Sequence, residues 1–531
     1  MNVKVFSLTA LITLAAIGCD SGISGQASEN EPPETDLSVR DASLVDNIDD
    51  RDRLASTVFA SWSGTDRDGF IARFEVRSYP DGISIGADEG WASTASNDSL
   101  ILLPIPRGQA TSNTVLEVRA VDNEGAIDAS PARTVFPIRN SPPTIRLNSF
   151  ELPPDTTFEV VSFSWIAEDP EGIANIDRIE ISLNDSTNFV ALPSDTEFIT
   201  LIGNVDRDDA GQSTADARVF FGRSFQSSDV TVPGLRLDEP NTFYVRSVDF
   251  TDTTSTTASV EWFVKKPTSN VLFVNDYRLS ATAARRNRSF HLAILNEFLN
   301  GKPVDVWDIS QPASGVISDA VPATVEPTVR QMLAGYQYIY WVTSSSTNST
   351  RTNNMPIIAS VMDDFLNNDG RILVHTPVTP PVDPAENLGN AAFVLLPFAD
   401  FISFPDSLNQ SLRILTGAPI TPSSDVGLAG SLPTLVAREI VLATQPYVIN
   451  SAYIPLYDGE YQYSTKSGSR GTWFGPPTVA SISEDRHVAM FSVPLISSFD
   501  GSLIFEGADG DLEASRDAVK LILEELGFPR Q

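Results

Sequence analysis

Apolar residues alternate with polar ones through the first half of the chain. Val58, Ala60 and Trp62 are separated by polar neighbours, and Phe70, Ala72, Phe74 and Val76 face one way while Arg73, Glu75 and Arg77 face the other. Val161, Phe163 and Trp165 repeat the rhythm, as do Ile179, Ile181 and Leu183. A period of two puts one set of side chains in a core and the other in water, which predicts half-buried strands. No helical pattern of convincing length interrupts residues 34–265.

At Pro267 the rhythm changes. Residues 271–274 are continuously apolar, as expected of a strand covered on both faces. Phe290, Ile294 and Phe298 then recur at spacing four before Gly301, predicting a helix and its stop. Strand 304–309, helix 325–333, strand 338–342, helix 357–366 and strand 371–375 follow. Such alternation implies a parallel sheet with right-handed crossovers. Residues 377–480 read as irregular and rich in Pro and Ser, with short strands such as 439–443. A strand over 487–493 and a helix bearing Val519, Ile522 and Leu526 close the chain, with Gly527 as C-cap and Pro529 beyond.

The alternating half is itself a repeat. Asn30-Glu-Pro-Pro33 returns as Asn140-Ser-Pro-Pro143, and Val118-Arg-Ala-Val-Asp122 as Val245-Arg-Ser-Val-Asp249. After Trp62 come Asp66, Asp68 and Gly69; at the same spacings after Trp165 come Asp169, Glu171 and Gly172. A period of roughly 100 residues is the size of one β-sandwich module. Residues 30–266 resemble tandem fibronectin type III or immunoglobulin-like modules, with expected boundaries at 34–139 and 140–266.

The N-terminus carries a different signal. Lys4 precedes an apolar run over residues 5–17, too short to span a bilayer and of the length of a signal-peptide core. The run ends in Ala16-Ile17-Gly18-Cys19, which resembles a bacterial lipobox. The resemblance implies a leader over 1–18, lipidation at Cys19, a tether over 19–33, and a place in the cell envelope. Cys19 is the single cysteine of the 531 residues. An intramolecular disulfide, a cysteine zinc cluster and a cysteine nucleophile in the folded body are therefore excluded. The net charge of -33 argues against nucleic acid and against docking on anionic lipid through a basic patch. The expected partners are instead the membrane, through the anchor, and an envelope protein or glycan.

Residues 267–531 resemble the class I glutamine-amidotransferase-like fold, a flavodoxin-like sandwich. The resemblance rests on the first strand 271–275, on Phe365-Leu-Asn-Asn-Asp-Gly370 leading into strand 371–375, and on Val488-Ala-Met-Phe-Ser-Val-Pro-Leu495 before a last helix over 512–527. The fold class expected is thus multidomain: two all-β sandwich modules, then an α/β flavodoxin-like three-layer domain over 267–531. Amidotransferases of this kind use a cysteine on a glycine-flanked turn; here strand 371–375 runs into Thr376-Pro377 with neither. Within residues 267–531 neither G-x-S-x-G nor G-x-G-x-x-G occurs; the one G-x-S-x-G of the chain, Gly82-Ile-Ser-Ile-Gly86, lies in the alternating half and not after a strand of the α/β half.

Two residues fall where open α/β sheets bind ligands, at strand carboxyl ends: Asp276 and His375. Either could contact a ligand, and either could cap a turn or pack at a strand end. His291 reads as a packing residue on the helix flank and His487 as surface. Asp66 and Asp68 on one sandwich loop, with Asp122 and Glu124 on another, form a candidate calcium site, because calcium prefers clustered carboxylate and carbonyl oxygens. The competing reading is that these acids staple turns. The function expected is a non-enzymatic, lipid-anchored presenter of a binding or assembly domain. The alternative is an exported hydrolase acting on a glycan or peptide through residues 377–480. There Tyr453, Tyr457, Tyr461, Tyr463 and Trp473 would line a sugar groove or pack in the core.

Overall fold

The computed structural model describes residues 29–39, 53–277, 280–310, 320–344, 354–378, 395–401, 404–405, 407–409, 411–423, 432–445 and 447–530. The expected leader, Cys19 and tether residues 20–28 lie outside the described residues. The chain divides into two compact units, Met1–Ser141 and Pro142–Gln531.

The first unit is a β-sandwich. Its strands are β1 (Glu34–Val39), β2 (Leu54–Ala55), β3 (Thr57–Thr65), β4 (Ile71–Pro80), β5 (Ala92–Thr94), β6 (Asp98–Leu102), β7 (Thr111–Asp122) and β8 (Ala132–Arg139). One sheet runs β1-β3-β6 and the other β2-β8-β7-β4-β5. Val58, Ala60 and Trp62 meet Phe74, Leu116, Val118 and Phe136 between them. The Trp62 indole donates to the Ser96 carbonyl at 2.9 Å, so its polar edge is satisfied inside the core. The alternation expected from Phe70 fails at its start. A bulge between Ile71 and Arg73 shifts the register, turning Ile71 towards the core and leaving Phe70 67% exposed.

The second unit opens with another sandwich. It comprises β9 (Thr144–Leu147), β10 (Thr156–Thr157), β11 (Val160–Glu168), β12 (Ile176–Leu183), β13 (Val190–Pro193), β14 (Phe198–Gly203), β15 (Thr214–Phe221), β16 (Gln226–Arg236), β17 (Glu239–Asp249) and β18 (Ala258–Val264). The sheets are β10-β18-β17-β12-β13 and β16-β15-β14-β11-β9. Phe163 stacks on Phe243 with centroids 4.0 Å apart. Trp165 donates to the Thr196 carbonyl at 2.7 Å, repeating the first module. The bulge recurs too, between Ile176 and Arg178.

Beyond it, β19 (Val271–Asp276), β20 (Asp305–Asp308), β21 (Tyr338–Thr343) and β22 (Arg371–His375) pair in parallel in the order β20-β19-β21-β22. Strand Val488–Phe491 joins β22, also in parallel. The helix α1 (Ala281–Phe298) follows β19, and Ser280 caps it by accepting the Ala283 amide. Val271, Phe273, Tyr340 and Leu373 face α1 and the last helix, Ala514–Glu525; Leu272, Val274, Trp341 and Ile372 face short helical turns on the other side. Covering on both faces is why these strands are apolar without alternation. The helix expected over 357–366 is two short pieces, Met355–Ile358 and Asp363–Asn367, joined through a 3-10 turn.

Two features were not expected. The segment read as irregular supplies Pro419–Pro422, Leu435–Ala437, Tyr453–Gly459 and Thr478–Ser483, which with Phe505–Gly507 extend the same sheet antiparallel to ten strands. The second sandwich is also not a separate bead. Phe158 and Val160 belong to one core with Val329, Met332, Leu333 and Tyr336. The hydroxyls of Ser162 and Thr328 meet at 2.6 Å. Arg207 bonds Glu159 at 3.1 Å and lies over the Tyr336 ring.

Candidate ligand crevice and acidic turns

The repeated acids take up backbone amides. Asp122 accepts from the amides of Glu124 and Ala126, both at 2.8 Å, and from the Asn30 side chain at 2.6 Å. Burial raises its pKa, but the bonds from Asn30, Ala126 and Glu124 outweigh it and hold the carboxyl below its usual range. Asp249 does the same work in the second module, accepting from Thr251 and Thr253 at 2.7 and 2.9 Å. Asp66 accepts the Asp68 amide at 3.3 Å, and Asp169 the Glu171 amide at 2.8 Å. Asp68 accepts the Glu31 amide at 3.0 Å, while Glu124 is exposed. Among the described residues no three or more His, Cys, Asp or Glu side chains stand where they could hold a metal ion. The structure thus does not bring Asp66, Asp68, Asp122 and Glu124 together as the calcium reading required. A turn needs one carboxylate two residues before an amide, and that geometry repeats with the module. Burial, with the adjoining Glu171 carboxyl, pushes Asp169 up to about 6.

A crevice of about 380 Å³ opens at the carboxyl ends of the parallel strands. Tyr277 follows β19, Ser344 follows β21, Pro377 and Val378 follow β22, and Ser492 follows Val488–Phe491. A separate small sheet, in which Val441–Thr444 pairs antiparallel with Leu412–Ile414, adds the wall Glu439, Ile440, Val441, Leu442 and Thr444. Ile440 and Leu442 are 45% and 66% exposed, an apolar lip over a hydroxyl-lined floor. The sequence signalled the location through the strand ends. It signalled part of the wall as well, since the strand expected over 439–443 forms as Val441–Thr444.

Asp276 and His375 lie beneath this floor. Asp276 is fully buried and accepts both the backbone and side-chain amides of Asn354, at 2.5 and 2.7 Å. It ties the end of β19 to a neighbouring loop. His375 Nε2 donates to the Val493 carbonyl at 2.8 Å, which leaves the lone pair on Nδ1. Burial depresses its pKa to about 4, so the ring is neutral near pH 7. His291 packs 4.5 Å from it, ring centroid to centroid, with Nδ1 2.5 Å from the Tyr340 hydroxyl. Burial first, then its neighbour His375, also pushes His291 down. The aromatic groove does not form. Tyr457 and Tyr461 are core residues, the Tyr453 hydroxyl donates to the Leu395 carbonyl at 2.7 Å, and Trp473 packs on Phe404.

No family model matches the chain, and no curated protein does. Solved structures with similarity include the fibronectin(III)-like modules of Clostridium thermocellum CbhA, at 14% identity over 40% of this chain and 88% of that one, TM-score 0.16. The FN1–FN3 domains of chicken CNTN1 align at 8% identity over 44% of this chain and 99% of theirs, TM-score 0.15. The chicken interferon gamma receptor alpha chain aligns at 10% identity over 44% and 98%, TM-score 0.20. Scores this low carry no argument. The sandwich assignment stands on the strand pairings of the chain itself.

Proposed function

We propose that this chain is a lipid-anchored, non-enzymatic envelope protein whose C-terminal lobe binds a small ligand in the crevice at the strand carboxyl ends. One observation carries the binding half of this reading. The ionisable groups at those strand ends, Asp276 and His375, are sealed under the floor and hydrogen-bonded to protein, whereas the crevice presents hydroxyls and an apolar lip. Such a surface holds a ligand, and among its described lining residues there is no histidine to stand beside a nucleophile. The lobe is flavodoxin-like in this reading and related in form to class I glutamine amidotransferases, with strand 371–375 ending in Thr376-Pro377 in place of the nucleophile turn. Along the chain the sandwiches stand between the proposed anchor at Cys19 and the C-terminal lobe. Ligand-observed NMR with a fragment set on the full chain tests it: fragments should bind, and Leu442→Asp should release them. Glutamine-dependent ammonia release by the same protein, abolished by a crevice substitution, would refute the non-enzymatic reading.

A further inference from the structure

Glu439 is half-buried in the crevice wall and is the one charged side chain among the described residues lining it. Among the described residues no hydrogen-bond or ion-pair partner engages it. The adjacent cation is already engaged, since Arg438 pairs with Glu506 at 3.3 Å. A carboxylate beside apolar surface is normally paired, because separation from water costs it more than a surface position would. Here the wall beside it carries the aliphatic Ile440 and Leu442, with Thr444 among them, and Ser344, Ser492, Ser497 and Ser498 contribute oxygens to the lining, that of Ser492 already donating to the Val479 carbonyl at 2.6 Å.

We infer that the crevice takes a small organic ammonium compound, its protonated amine on Glu439 and its aliphatic body along Leu442 and Ile440. The inference rests on the crevice being the binding site proposed above and adds the chemical class. Three properties of the site converge on it. The charge complement is a single cation, since the lining described contains one acid and no base. An ammonium has three donors and no acceptor, matching a carboxylate and hydroxyl oxygens, and it leaves no acceptor of its own unmet. The volume of about 380 Å³ lies at the small end of the range for ligand pockets. An anionic ligand would face Glu439 and the field of a chain with net charge -33.

The test uses three probes of one shape, hexylammonium, 1-hexanol and hexanoate, titrated calorimetrically into the full chain at pH 7.5 and fixed ionic strength. Hexylammonium should bind at least tenfold more tightly than hexanol, and hexanoate most weakly. Glu439→Gln should bring hexylammonium to the level of hexanol, and Leu442→Ser should weaken both. Melting temperatures of the two variants near that of the parent keep these losses from being read as unfolding. Equal binding of all three probes, still sensitive to Leu442→Ser, would overturn the ammonium inference and leave the crevice standing as a binding site. Binding by none of them would overturn both.

Discussion

Acidification should unlock the C-terminal lobe through its buried histidines. In the unfolded chain a histidine titrates near 6.5, whereas burial holds His375 at about 4 in the fold. The folded state therefore binds its proton later than the unfolded state does. The neutral ring's contribution is complete above pH 6.5 and is lost as pH falls through 4. At about 1.4 kcal/mol per unit, the interval from 6.5 to about 4 is worth about 3 kcal/mol. His291, pushed down by burial and by His375, adds in the same direction. Asp169 acts oppositely within the same compact unit: its pKa is raised to about 6, so protonation there favours the fold. A difference between two proteins removes that term. Urea unfolding of the parent and of His375→Leu, followed by tryptophan fluorescence at pH 7.5, 6.5, 5.5 and 4.5, should give curves that converge as pH falls. His375→Leu should be the less stable at pH 7.5, having lost the bond to Val493, and should then recover about 2–3 kcal/mol relative to the parent by pH 4.5. Parallel curves would show that His375 is not held neutral by burial, and the reasoning would fail.

Other outcomes follow from the packing. Millimolar calcium against chelator, at matched ionic strength, should leave the melting of the full chain unchanged, while Asp249→Ala should cost about 1–3 kcal/mol by stranding the Thr251 and Thr253 amides. Phe158→Ala should cost about 3–5 kcal/mol and, in calorimetry, split one transition of residues 142–531 into two, because that ring joins the sandwich to the core of the following lobe. Metabolic labelling with palmitate, with the protein expressed in a bacterium, should mark the parent and leave Cys19→Ser unlabelled; equal labelling of both would refute lipidation at that residue.

The readable parts of this sequence are those where local period and tertiary burial agree. Val58, Ala60 and Trp62 alternate because one sheet face meets the core, and residues 271–274 do not because helices cover both faces. The repeated Trp and Asp positions announced a module, and the structure gives each a local reason: an indole bonded to a loop carbonyl and a carboxylate holding amides. What stayed hidden depends on partners distant in sequence. Leu435–Ala437 and Pro419–Pro422 are strands because neighbours in the sheet supply their ladder, not because three or four residues carry a period. Nothing near Phe158 in the sequence states that its cover comes from Tyr336. Asp276 and His375 were placed correctly at strand ends, but whether such a group faces a ligand or lies under the floor is decided by Asn354 and Val493, far along the chain.

The order of the central sheet also dictates a schedule for folding. β22 pairs with Val488–Phe491, so the parallel half lacks its fifth strand until residue 491 has been synthesised. Phe158 waits in the same way for Met332 and Tyr336. Met1–Ser141 contains its own core and is free to fold as it emerges, whereas the rest of the chain must be kept from aggregating while its apolar strands await their neighbours. A nascent chain stalled between residues 375 and 488 would expose β22 as an open edge, and it is at that length that a holding chaperone should be found on it.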